Sequence, residues 1–93
     1  MNEKINRIVN HYSFEQQREI FVEECAEAIQ AAQKCKRANS IKGYETAVAN
    51  LTEEVADVLI MAHQMRYFLG EDKVDKIIRA KLDRQIKRIN EEE

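Results

Sequence analysis

Residues 48–69 read VANLTEEVADVLIMAHQMRYFL. At 100° per residue, Val48, Leu51, Val55, Val58, Leu59, Met61, Ala62, Met65, Phe68 and Leu69 gather on one broad arc, which predicts a long amphipathic helix. Opposite that arc lie Ala49, Ala56, Ile60 and Tyr67, so the helix is apolar on two sides. Such a helix belongs at the centre of a larger core than three helices provide. The segment therefore predicts a homodimer or a dimer of dimers with this helix at the interface.

Working outward, the chain has no proline, and its only glycines, Gly43 and Gly70, punctuate the pattern. The long helix is predicted to begin between Tyr44 and Asn50 and to end at Leu69 or Gly70, with Gly70 as its C-cap. Ahead of it, residues 38–43 read as a connector. Before the connector a first long helix runs to about Arg37, with Ser13 as its N-cap. A short amphipathic segment spans residues 2–11. After Gly70, Asp72 is expected to cap a third long helix ending near Asn90, followed by a frayed EEE tail. No strand-like alternation or internal repeat competes with this pattern. The fold class is all-α: a helical bundle of three long helices plus a short N-terminal helix, completed by oligomerisation.

With 93 residues the chain reads as one domain over residues 1–93, near the small end of what buries a self-sufficient core. Charged residues make up 34% and hydrophobic residues 44%, the balance of a soluble globular helical protein rather than a disordered one. A net charge of -2 leaves no overall basic footprint for nucleic acid. No apolar run is long enough to span a membrane, and MNEKINRIVNHYS lacks the apolar core of a signal peptide. Cys25 and Cys35 lie about 15 Å apart along one helix, too far for a mutual disulfide, so a reducing cytoplasm is the expected compartment.

Acids interrupt both long apolar patterns. Residues 23–27 read EECAE and residues 53–57 read EEVAD. On the first long helix Phe14, Ile20, Phe21, Cys25, Ala28, Ile29, Ala31, Ala32 and Cys35 define the apolar arc. Glu24 falls inside it and Glu27 at its border, while Glu23 points away. On the second, Glu54 falls inside the arc and Asp57 at its edge, while Glu53 projects elsewhere. Each helix therefore offers carboxylates at i and i+3 toward the bundle interior. An ionised carboxylate in a low-dielectric interior costs several kcal/mol unless paired or coordinated. Clustered acids also repel. A divalent cation removes both penalties, and an all-oxygen donor set favours Mg²⁺, with Mn²⁺ as the other candidate, over Zn²⁺. The competing reading is an ion-pair network in which Lys or Arg from the third helix neutralises the acids.

That third helix is expected to bury Val74, Ile78, Leu82, Ile86 and Ile89, with Lys81, Arg84 and Arg88 along one flank. Beside a carboxylate-bound metal such a row suits the oxygens of a polyphosphate, Arg through bidentate contacts. The plainer reading is a solvated face making surface ion pairs. No Gly-rich phosphate loop is present. Gln17 lies on the arc of Glu24, two turns earlier, where it is a candidate to hydrogen-bond a nucleobase or else a partly buried amide serving its neighbours.

Glu23, Glu24 and Glu27, followed by Glu54 and Asp57, form EExxE and ExxD motifs on consecutive helices. With Gln17 six residues before EE, the stretch NLTEEVADVLIM and the closing KLDRQIKRI, this resembles the MazG-like all-α nucleoside triphosphate pyrophosphohydrolases. That superfamily also contains the dimeric dUTPases. The resemblance covers residues 11–89. It implies an enzyme that cleaves a nucleoside triphosphate between the α- and β-phosphates, giving the monophosphate and pyrophosphate. At the matching positions Glu24, Glu27, Glu54 and Asp57 would hold Mg²⁺, and Glu23 and Glu24 would serve the chemistry. Lys81 and Arg84, with Arg88 beyond them, would hold the leaving pyrophosphate, and the subunits would pair. The alternatives are a catalytically silent interaction module and a bundle that senses metal or nucleotide without hydrolysis. No nucleic acid or membrane partner is expected.

Overall fold

The computed structural model describes residues 2–93, Asn2 by its backbone alone. These residues form four helices and no strand: α1 (Asn2–His11), α2 (Phe14–Arg37), α3 (Ile41–Leu69) and α4 (Glu71–Glu92). Among the described residues no helix is long and apolar enough to cross a membrane.

Polar side chains set the helix starts. Ser13 is extended, and its Oγ accepts from the Gln16 N–H at 3.1 Å. Gln16 Oε1 in turn accepts from the Ser13 N–H at 3.0 Å, closing a capping box as the Ser13 cap anticipated. Ser40 Oγ accepts from the Gly43 N–H at 3.0 Å, so α3 begins at Ile41, ahead of the expected start between Tyr44 and Asn50. Gly43 lies inside the first turn rather than in a connector. A Cβ there would come within 2.8 Å of the capping hydroxyl, so this glycine serves the cap instead of breaking the helix.

The shortened connector leaves three residues between α2 and α3, which lie antiparallel and make the main packing interface of the chain. Phe14 and Phe68 meet edge to face at 5.4 Å at the open end of this hairpin. Short α1 lies on α3 and contributes Ile5 and Val9 to the core, beside Ala31, Met61 and Met65. Ile29, expected on the inner arc of α2, is instead 63% exposed, and Val55 and Leu59 of α3 also stand open. The arcs drawn from sequence are wider than the strip that one neighbouring helix covers.

Gly70 alone joins α3 to α4. Its φ of 108° lies in the positive region that favours glycine. Its N–H donates to the Arg66 carbonyl at 3.0 Å and its carbonyl accepts from the Val74 N–H at 3.0 Å, so one residue ends one helix and starts the next. Asp72 consequently sits in the first turn of α4 and is not its cap. Arg66 clamps the joint: Nε and Nη2 donate to the two Asp75 carboxylate oxygens at 2.8 and 2.6 Å, and Nη1 lies 3.1 Å from Glu71 Oε2.

Beyond this clamp α4 departs. Every residue from 76 to 93 is exposed. The expectation that α4 buries Ile78, Leu82, Ile86 and Ile89 is not met within one chain. Their exposures run from 46% to 57%, because α4 is partly covered only near its start, at Val74 and Asp75. The tail expected to fray is helical through Glu92.

Candidate metal centre

Midway along the α2–α3 hairpin the two acidic motifs face each other. Glu24, Glu27 and Glu54 each offer a carboxylate oxygen, and these oxygens lie within 4.8 Å of one another. Helical spacing puts Glu24 and Glu27 one turn apart on α2, and the antiparallel crossing brings Glu54 of α3 against them. Glu24 and Glu54 are half-buried and Glu27 is exposed, so the group sits at the edge of the packed strip and opens on one side to solvent.

The electrostatics are unfavourable for the bare protein. Glu24 Oε2 and Glu54 Oε2 are shielded from solvent and have no hydrogen-bond partner. Burial is the first cause that pushes the Glu24 carboxyl above its ordinary value, followed by the charges of Glu27, Asp57 and Glu23. Burial likewise leads for Glu54, followed by Glu27, Asp57 and Glu24. Among the described residues no Lys or Arg forms an ion pair with these acids; the three pairs present are Arg18–Glu19, Arg66–Glu71 and Arg66–Asp75. The ion-pair network weighed against a metal is therefore not formed within one chain. Orphaned, shielded oxygens on a cluster of hard donors fit a small divalent cation, which would remove both the repulsion and the burial cost.

Of the expected ligands, Glu24, Glu27 and Glu54 are brought together. Asp57 is exposed and stands outside this closest group, though near enough for its charge to act on both Glu24 and Glu54. Glu23 is exposed on the solvent side, as its projection suggested. Gln17 is 3% exposed and offers a base almost no surface, which favours the buried-amide reading. Lys81, Arg84 and Arg88 all lie on the free part of α4 and are not gathered at the acids of their own chain, since α4 leaves the hairpin at its far end.

Two features escaped the sequence reading. Arg66 and Asp75 are nine residues apart across a helix break, a separation that helical periodicity cannot pair. Gln64 is 2% exposed with an unpartnered Oε1; the signal was an amide beside Met61 and Met65 on the inward arc of α3.

Comparison of the chain with models of protein families, with curated proteins and with solved structures gave no match.

Proposed function

We propose that this chain is a Mg²⁺-dependent nucleoside triphosphate pyrophosphohydrolase of the MazG-like kind, converting a (d)NTP to the (d)NMP and pyrophosphate. The observation that carries the reading is the pair of shielded, partnerless oxygens, Glu24 Oε2 and Glu54 Oε2, gathered with Glu27 and with no chain cation against them. Bound Mg²⁺, or Mn²⁺ in its stead, supplies a water of lowered pKa and neutralises charge on the phosphates. Glu24, Glu27 and Glu54 hold the cation, and Asp57, whose charge already acts on two of them, completes the acidic set. Glu23 lies outside the closest group and is exposed, so its carboxylate would be free to take the proton of the attacking water. The leaving pyrophosphate needs cations, which this reading assigns to Lys81, Arg84 and Arg88. It carries a cytoplasmic homodimer or dimer of dimers, in keeping with the free thiols of Cys25 and Cys35 and the open apolar residues of α3 and α4.

Pyrophosphate release measured with each dNTP, with and without Mg²⁺, tests the proposal. Turnover should require the metal and vanish in Glu54→Gln while far-UV helicity is unchanged. Activity retained in that variant removes Glu54 from the site, and no product from any nucleotide removes the hydrolase. A bundle that senses metal or nucleotide without hydrolysis is the second reading, favoured by the distance of the α4 cations from the acids of their own chain. Under it Mg²⁺ raises the thermal midpoint and no pyrophosphate appears.

A further inference from the structure

All three long helices contribute to one apolar groove that the acidic cluster does not use. At the open end of the hairpin, Phe14 and Phe21 of α2, Ala62, Met65 and Leu69 of α3 and Val74 of α4 line a cavity of about 380 Å³. That volume lies at the low end of the roughly 300–1,000 Å³ that small-molecule sites span. Met65 is 6% exposed and Leu69 58%, so the lining grades from a buried floor to an open mouth. Arg18 and Arg66 complete the wall, and no acid lines it. Water over such a lining is displaced favourably by any apolar body that fits.

The two cations differ in what they are committed to. Arg66 is held by Asp75 and Glu71 at the α3–α4 joint. Arg18 is not held: its side chain is 52% exposed, and its one acidic neighbour is the adjacent Glu19 at 3.8 Å, an open pair worth little in water. Its guanidinium carbon lies 5.7 Å from the Phe14 ring centroid, which puts an uncommitted cation at the Phe14 end of the groove. That charge decides between occupants. A second copy docked here about a two-fold axis would set Arg18 against its own counterpart. The open apolar helix of another copy, α4, is itself basic over residues 76–90, with Asp83 as the single acid there. Like charge across a contact disfavours both. An apolar body bearing one carboxylate suits both features: the body covers the lining, and the carboxylate accepts from the paired donors of a guanidinium.

We infer that this groove binds a small amphiphilic carboxylate, with its apolar body against Phe21, Met65, Leu69 and Val74 and its carboxylate on Arg18. The site is separate from the acidic cluster and depends on neither metal nor nucleotide. Leu69 and Val74 stand on either side of Gly70, the one residue that joins α3 to α4. An occupant therefore touches both sides of the joint and steadies the first turns of α4 against the hairpin.

Titration of the full-length ¹⁵N-labelled protein at neutral pH in chelator tests the site without any assay of activity. The probes are decanoate for an aliphatic body, 2-naphthoate for an aromatic one, and the uncharged amide of each. At least one acid should saturate a single site, shift the amides of residues 14–21, 62–69 and 71–74, and slow hydrogen exchange in the first turns of α4. The matching amide should bind about tenfold or more weakly, and so should the acid to Arg18→Gln. That variant changes an exposed side chain, and unchanged far-UV helicity shows that it folds. The inference is overturned if neither acid saturates, if the shifts centre on the stripe of α4, or if acid and amide bind alike. It is equally overturned if Arg18→Gln binds as wild type does, or if dilution alone shifts the groove amides, the mark of a second copy seated there. Pyrophosphate release is judged by itself, and a dead enzyme leaves the titration intact.

Discussion

Glu24 and Glu54 each hold a carboxylate oxygen away from water with nothing to donate to it. The folded state therefore favours their protonated forms, and both carboxyls lie above the ordinary 4.5. The sign of the pH effect follows. In metal-free protein the stability they allow is fully present below about 4.5 and is lost as pH rises through the raised values, because the folded state then binds more protons than the unfolded one. Thermal melts in chelator should fall across that window, and Glu54→Gln should flatten the fall and melt higher than wild type at neutral pH. Mg²⁺ should reverse the order: it stabilises the wild type where the acids are ionised, competes with protons as pH drops, and does little for Glu54→Gln. A variant as responsive to Mg²⁺ as the wild type would place the cation elsewhere.

The elements depend on a few local devices whose loss is measurable. Gly70 takes a backbone conformation that a side chain strains, so Gly70→Ala should cost on the order of 1–3 kcal/mol in chemical denaturation. Ser13→Ala removes one half of a capping box, and about 1 kcal/mol is expected. The Arg66–Asp75 clamp has a different signature. The guanidinium donating to Asp75 holds that carboxyl below its ordinary value, so its contribution is present above about 3.8 and lost as pH falls through the lowered value. Asp75→Asn should leave the α2–α3 hairpin protected in hydrogen exchange while the first turns of α4 exchange faster.

For the whole molecule, the core of one chain is small: five buried apolar residues and two buried glutamines among those described. The apolar stripe of α4 and Val55, Leu59 and Leu69 of α3, which the sequence patterns for burial, stand open in a single copy. The homodimer proposed above would contribute directly to stability, and the thermal midpoint should then rise with protein concentration. Each tenfold increase is worth about 1.4 kcal/mol per mole of dimer. A midpoint unchanged between 1 and 100 times a dilute starting concentration would mean that a single chain folds without a partner.

Helical period alone determined that this chain is all-α, that Ser13 starts α2, and that Glu24 and Glu54 face inward, because those facts depend on neighbours three and four residues away. Period could not tell which parts of a broad apolar arc meet a neighbour, so Ile29 and the α4 stripe read as core and stand open. The start of α3 was missed for a related reason: a glycine reads as a breaker until the hydroxyl that it lets in is visible. Only the tertiary structure decided that Glu27 and Glu54 share a site while Lys81, Arg84 and Arg88 do not join it within one chain. The crossing of two helices and the departure of a third are set by packing over distances that no local pattern encodes.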